Sequence, residues 1–219
     1  MSRTTFSRNV GVITELASFL PATGFTIPGS FGYGNYRIMK GKSPTLITGP
    51  DTNEVDVKYG DTAPDWNMGF SNELTWKGIR LYGLVDWQHG GDIINITQNV
   101  YDTFKLSPDQ TEANPIPERL RLYDDLNSAE GYIQDGSFVK LREVTLSYEL
   151  PATWTTRLFG SYARAVRAEL SGRNLLTWTD YKGVDPEVSN FGNQNIVRNA
   201  DLAPYPPTRS YFFSLSADF

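Results

Sequence analysis

His89 is the only histidine in these 219 residues, and there is no cysteine. A Ser-His or Cys-His nucleophile would have to run through His89. It stands beside Gly90-Gly91 at the end of a strand-like run, which reads as a loop histidine. Without thiolates the chain has neither a disulfide framework nor a sulfur-ligated metal site, and its redox compartment is not revealed. Three acidic pairs, Asp61/Asp65, Asp124/Asp125 and Asp185/Glu187, carry the oxygen chemistry that calcium takes. None has EF-hand spacing, and solvated loop charge is the simpler reading. Gly29, Gly32 and Gly34 precede neither a helical pattern nor a phosphate-loop lysine. Asn95-Ile96-Thr97 matches a glycosylation sequon, a pattern common by chance. No catalytic residue, cofactor or metal site is expected.

A larger set of charges falls at alternate positions of strand-like runs: Glu73, Lys77, Arg80, Asp86, Glu143, Glu149, Arg167, Glu169 and Arg173. Its signs are mixed. Such a set suits a hydrated wall packed against polar neighbours, or a path along which a polar substrate moves. The first is the simpler reading.

The elements that position this set have a period of two, the mark of a strand whose faces meet different surroundings. In 138–150, Val144, Leu146, Tyr148 and Leu150 lie opposite Glu143, Thr145, Ser147 and Glu149. In 163–174, Val166, Ala168 and Leu170 lie opposite Arg167, Glu169, Ser171 and Arg173. In 66–77, Trp66, Met68, Phe70, Leu74 and Trp76 share a face, with Asn72 the exception. In 79–88, Ile79, Leu81, Val85 and Trp87 share one, with Leu84 opposite. In 209–219, Tyr211, Phe213, Leu215, Ala217 and Phe219 share one, with Phe212 opposite. A sixth, truncated strand is expected at 1–8. The start of 138–150 reverses parity, with Val139 and Leu141 opposite Lys140 and Arg142. Either a bulge sits there, or that half projects beyond the layer the alternation serves.

Alternation alone fits a soluble half-buried sheet or a membrane barrel with a wet lumen. The apolar share is 39 % and aromatics reach 13 %. No 18 consecutive residues are apolar, so no transmembrane helix is expected. A barrel stays open, because only every second residue faces lipid. Net charge is −5 with no basic run, which argues against nucleic acid.

Connection lengths decide more. Counted back from Phe219 they run long, moderate, long, short, long. Outer-membrane barrels have short periplasmic turns and long outer loops, whereas a sandwich turns at regular short intervals. Lys77-Gly78 (a tight hairpin) and 151–162 are then periplasmic. Trp66, Trp76 and Trp87, at strand ends, would form an aromatic girdle. Phe70, Leu74, Leu81, Val85, Val144, Leu146, Tyr148, Val166 and Leu170 would face lipid. Glu73, Arg80, Asp86, Glu143, Arg167, Glu169 and Arg173 would face the lumen. Within the connections a hairpin is expected across 37–48, a short strand at 54–59, and helical turns near 117–126 and in 151–162.

The same residues carry a resemblance. DGSFVKLREVTLSYELP (135–151), SGRNLL (171–176), YKGVDPE (181–187) and the final Asp218-Phe219 resemble the C-terminal end of SusC/RagA-type TonB-linked outer-membrane transporters. GDTAPDWNMG (60–69), WKG (76–78) and GGD (90–92) occur upstream in the family's order. The match runs from about Arg37 to Phe219. Such transporters are several times longer, and only their last part is matched.

The resemblance implies an all-β, antiparallel membrane β-barrel fragment: about the last six strands of a large, roughly 22-stranded barrel with long extracellular loops. Residues 1–219 would be the C-terminal part of the barrel domain. The plug domain, TonB box and signal peptide would lie outside it, since the first ten residues have no apolar signal core. The whole protein would sit in the outer membrane of a Gram-negative bacterium and import glycans or peptides without covalent chemistry. Its partners would be the lipid bilayer, a SusD-like surface lipoprotein and TonB, reached through the missing N-terminal part. The outer-membrane assembly machinery would read Tyr211, Phe213, Leu215 and Phe219. The fragment alone would transport nothing. The alternative is a soluble β-rich carbohydrate-binding module with Trp66, Trp87 and Trp178 as stacking platforms. A module must pack two apolar sheet faces together; a barrel wall turns one apolar face to lipid.

Overall fold

The computed structural model describes residues 2–7, 25–28, 35–38, 45–50, 56–126, 128–187 and 200–219. In chain order the strands are β1 (Ser2–Ser7), β2 (Phe25–Pro28), β3 (Asn35–Ile38), β4 (Leu46–Pro50), β5 (Asp56–Asp61), β6 (Pro64–Trp76) and β7 (Ile79–Gly90). They continue with β8 (Asp92–Asn95), β9 (Ile133–Asp135), β10 (Phe138–Glu149), β11 (Ala165–Thr179), β12 (Ala200–Asp201) and β13 (Ser210–Asp218). Three helices, α1 (Ile96–Thr103), α2 (Glu118–Leu126) and α3 (Ala152–Phe159), lie in the connections. The short strands expected at 37–40, 45–48 and 54–59 and the helical turns near 117–126 and in 151–162 are all present, with shifted bounds. Gly29, Gly32 and Gly34 lie outside the described residues.

The main sheet is antiparallel, in the order β1-β6-β7-β10-β11-β13. From β6 onward each strand pairs with the next long strand of the chain, and everything else is inserted between them. Successive strands therefore run up and down, as in a barrel wall. β6, β7, β10 and β11 are 12 to 15 residues long. About 9–11 residues suffice to cross a bilayer when tilted, and each of these strands is longer than that. The tight turn is closed by the Trp76–Ile79 pair. Lys77 and Gly78 both have positive φ (46° and 84°), as a two-residue turn matched to strand twist requires. A Cβ on Gly78 would stand 2.8 Å from the Glu149 carbonyl oxygen, so the position needs glycine twice over.

The parity reversal in 138–150 is a bulge. β10 pairs with β7 on one side and β11 on the other, and both registers shift between Leu141 and Glu143. Arg142 is the extra residue against β7. Across the sheet Asn174 takes a positive φ of 53°, opposite the same point. β11 then continues to Thr179, five residues beyond the expected end, with 176–179 paired to 138–141.

The register places Phe70, Leu74, Trp76, Leu81, Val85, Trp87, Val144, Leu146, Tyr148 and Leu170 on one face with Tyr211, Phe213 and Leu215. That face is open: Leu74 is 63 %, Leu146 46 %, Leu170 54 % and Phe213 73 % exposed. Val166 departs from expectation. It has this face's parity but is only 4 % exposed. α3 lies against β11 there, and Thr155 and Ala163 are buried alongside. Val166 is therefore a buried position of that face.

The core is elsewhere. Ile47, Ile94, Ile96, Ala129 and Ala200 form one buried cluster, with Tyr59, Tyr123, Ile133 and Leu202 against it. These residues come from all three long connections. The connections thus fold together as a cap, helped by the three-stranded sheet β12-β8-β9 and the four-stranded sheet β2-β3-β4-β5. No helix among the described residues is long and apolar enough to cross a membrane.

Candidate functional site

The polar face of the wall is a set of cross-strand ion pairs. Arg80 donates to Glu73 at 2.7 Å, Arg167 to Glu149 at 2.9 Å, and Arg173 lies 3.3 Å from Glu143. Thr145 donates to Glu143 at 3.0 Å. Glu169 sits between Ser147 and Ser214 on the same face. Mixed sign is thus explained locally: opposite charges face each other across neighbouring strands. Exposed pairs of this kind are screened by water and contribute little to stability, so the pairing neutralises the face more than it stabilises it.

Where the bulge lies, the wall gains a denser cluster. Because β10 reverses parity at Arg142, Lys140, Arg142 and Glu143 all project to the polar side. Lys140 Nζ donates to Asp185 at 2.6 and 2.7 Å and to Glu187 at 2.6 Å. Arg142 donates to Asp86 at 2.7 Å and, with both terminal nitrogens, to Glu187. Lys140 is 5 % and Asp185 4 % exposed. Burial pushes the Glu187 carboxyl up, but the hydrogen bonds from Arg142 and Lys140 bring it below the usual carboxylate range. Asp185/Glu187 is therefore an anchor that ties the third long connection to the wall, not solvated loop charge. Both halves of the cluster were visible in the sequence, as the parity break and the DPE motif; their juxtaposition was not. Beside it, Asn67, Ser71, Asp86, Gln88, Phe138 and Arg142 line an open concavity of about 540 Å³ on the polar face.

The cap is held by buried polar networks that sequence reasoning missed. Asp102, fully buried, accepts from Arg119 at 2.6 and 2.7 Å, from Tyr132 at 3.0 Å and from Ser107. Arg119 also bridges to Asp109 at 2.6 Å, which holds the Asp109 carboxyl below its usual range. Tyr181 donates to Asp201 at 2.5 Å, and Thr97 donates to the same carboxylate. Burial first, then the hydrogen-bonded aspartate, pushes the Tyr181 hydroxyl well above the ordinary tyrosine range. Lone Asp, Tyr and Arg residues in connections have no period to betray them. A cleft of about 440 Å³ opens between the second and third connections, lined by Thr97, Tyr101, Pro108, Lys182 and Val184 among others.

The remaining candidates resolve plainly. His89 is exposed, 3.9 Å from Asp65 and stacked near Trp66. Asn95 caps α1, its side-chain oxygen accepting from Gln98 N–H at 2.9 Å, and is buried beyond reach of a glycan. Asp61 receives the Ala63 N–H and the Thr45 hydroxyl. Asp124 and Asp125 are exposed on α2. Among the described residues no acidic or histidine cluster has the makings of a metal site. Trp66 and Trp87 meet edge to face at 4.8 Å on the open apolar face, and Trp76 stands at the opposite end of the sheet.

No family model matches the chain. Curated relatives do. It is 30 % identical over 179 residues to TonB-dependent receptor P3 of Formosa agariphila, covering 73 % of this chain. It is 27 % identical over 217 residues to TonB-dependent receptor P26 of the same organism, covering 91 %. This chain belongs to the TonB-dependent receptors. It spans about a fifth of those relatives, 17 % of P3 and 21 % of P26. Among solved structures it resembles the RagAB peptide importer in its closed-closed state, with 21 % identity and a TM-score of 0.66. That likeness covers 100 % of this chain and 27 % of the other. The open-open state gives 22 % identity and a TM-score of 0.60. For a TonB-dependent receptor, the paired polar face, the bulge cluster and the cap belong to one wall segment and the connections above it.

Proposed function

We propose that this stretch forms part of the wall and outer cap of an outer-membrane transporter that imports glycans or peptides. The observation that carries the reading is the open apolar face set against a charge-paired polar face. A soluble carbohydrate module would cover that apolar face with a second sheet. Instead Leu74, Leu146, Leu170, Phe213 and Leu215 stand open together, a surface that lipid suits and water does not. Chemistry here is non-covalent. The wall supplies a hydrated, neutralised surface, and the cap shapes the entrance. Energy would come through TonB and the plug. A SusD-like lipoprotein would rest on the cap, where Phe104, Leu106, Ile116 and Tyr205 are exposed. Tyr211, Phe213, Leu215 and Phe219, all exposed along and beyond β13, would serve the assembly machinery.

Orientation is the test. All long connections leave the sheet at one end, and Lys77-Gly78 and α3 lie at the other. Asn114 and Thr156 are both exposed. In intact cells making the receptor that carries this sequence, Asn114→Cys is expected to react with a membrane-impermeant maleimide. Thr156→Cys is expected to react only after the outer membrane is opened. Equal labelling of both in intact cells would rule out this placement.

A further inference from the structure

α3 is too apolar for the place it occupies. Between 151 and 164 the chain reads PATWTTRLFGSYAR. Trp154 is 60 %, Leu158 64 %, Phe159 45 % and Tyr162 83 % exposed. Trp154 and Leu158 are four residues apart and share a helix face. Thr153 and Thr156 lie on the far side, Arg157 stands between Thr153 and Trp154 at the border of the apolar face, and Thr155 is buried. The polar residues of this segment include Arg157 and Arg164 and no carboxylate.

Its position gives this face a neighbour. α3 packs on β11, at whose start Val166, which has the parity of the apolar wall face, is buried. The helix therefore lies on the outer side of the sheet, at the end where the wall stops. Val166 is followed on that face by Ala168 and Leu170, paired to Leu215 and Phe213. The apolar face of the wall thus reaches the end of β11 at which the helix lies. Glu149 N–H donates to the Gly78 carbonyl at 2.8 Å, so the Lys77-Gly78 turn abuts the start of α3. Trp76, 67 % exposed with the Lys77 ammonium 5.0 Å from its ring, stands at the same end.

We propose that α3 is an interfacial helix that lies in the headgroup layer of the inner, periplasmic leaflet. Trp154, Leu158 and Tyr162 would sink among the acyl chains, and Arg157 and Arg164 would pair with lipid phosphates. Aromatic and aliphatic residues on one side and arginines on the other are the composition that holds a helix in the interface plane. Arginine's fork suits phosphate. The helix would fix the depth at which this part of the wall sits. The proposal rests on the wall reading above.

Site-specific photo-crosslinking separates the two. Benzoyl-phenylalanine is placed at Leu158, at Thr156 or at Leu146 in the receptor that carries this sequence, in its native outer membrane, and adducts are weighed by mass spectrometry. The expected result is phospholipid on the Leu158 and Leu146 probes and severalfold less on the Thr156 probe. Lipid at Leu146 with none at Leu158 overturns the interfacial helix and leaves the wall intact. A protein adduct at Leu158, or lipopolysaccharide in place of phospholipid, also overturns it. No lipid at Leu146 removes the wall reading and this proposal together.

Discussion

Lys140→Met is expected to destabilise the folded receptor by about 3–5 kcal/mol, the cost of breaking a buried ion pair from one side. The substitution roughly keeps side-chain volume and removes the charge. Asp185, 4 % exposed, then loses its two short hydrogen bonds, at 2.6 and 2.7 Å, and its cation. Glu187 keeps Arg142 and suffers less. Because the pair joins the wall to the third long connection, the damage should be local: faster proteolysis at 182–187 and a lower denaturant midpoint for refolding into vesicles. Lys140→Met combined with Asp185→Leu should recover most of the loss, because no buried charge is left over. A single variant with unchanged midpoint and protection would mean that the connection is not anchored there.

Leu146→Arg is expected to cost about 2–4 kcal/mol in a bilayer if the position lies near the midplane. Leu146 is mid-strand, paired to Leu81 on one side and Leu170 on the other, and all three point to the open face. Thr145→Arg, one residue away, should cost far less, because Thr145 faces the hydrated side beside Glu143. The pairs Leu170→Arg against Ser171→Arg and Leu215→Arg against Ser214→Arg should show the same contrast. The measurement is a guanidinium titration of the receptor refolding into phosphatidylcholine vesicles. Equal costs within each pair would show that the two faces have been assigned wrongly.

What was legible in the sequence follows from what surrounds each residue. In β7, Leu81, Val85 and Trp87 alternate with Arg80, Tyr82 and Asp86 because one side of the sheet is apolar and open and the other carries the ion pairs, and the order of polarities records that. The bulge was legible for the same reason: Val139 and Leu141 break the count kept by Val144 and Leu146. The upper part of β11 was not. Leu175-Leu176 breaks the count kept by 166–173 just past Asn174, and the alternation of Leu176, Thr177, Trp178 and Thr179, paired with β10, is too short to stand out. The cap was hidden by different physics. Ile93, Ile94 and Ile96 are buried from every side in a strand of four residues and the first turn of α1, so no period can appear. Asp185 and Glu187 looked solvated because their partners lie some 45 residues back in sequence, at Lys140 and Arg142. α3 was foreseen only as a turn of helix, since eight residues hold too few repeats to show an amphipathic face.

The central claim is that the main sheet divides lipid from water. The most direct test is a nitroxide carried through each position from 143 to 149, one at a time, in the receptor that carries this sequence reconstituted in lipid vesicles. Collision with dissolved oxygen is compared with collision with a water-soluble nickel chelate. Labels at 144, 146 and 148 are expected to favour oxygen, and labels at 143, 145, 147 and 149 to favour nickel or to be shielded from both by the ion pairs, with a period of two. Water accessibility at 144, 146 and 148 equal to that of their neighbours would contradict the account.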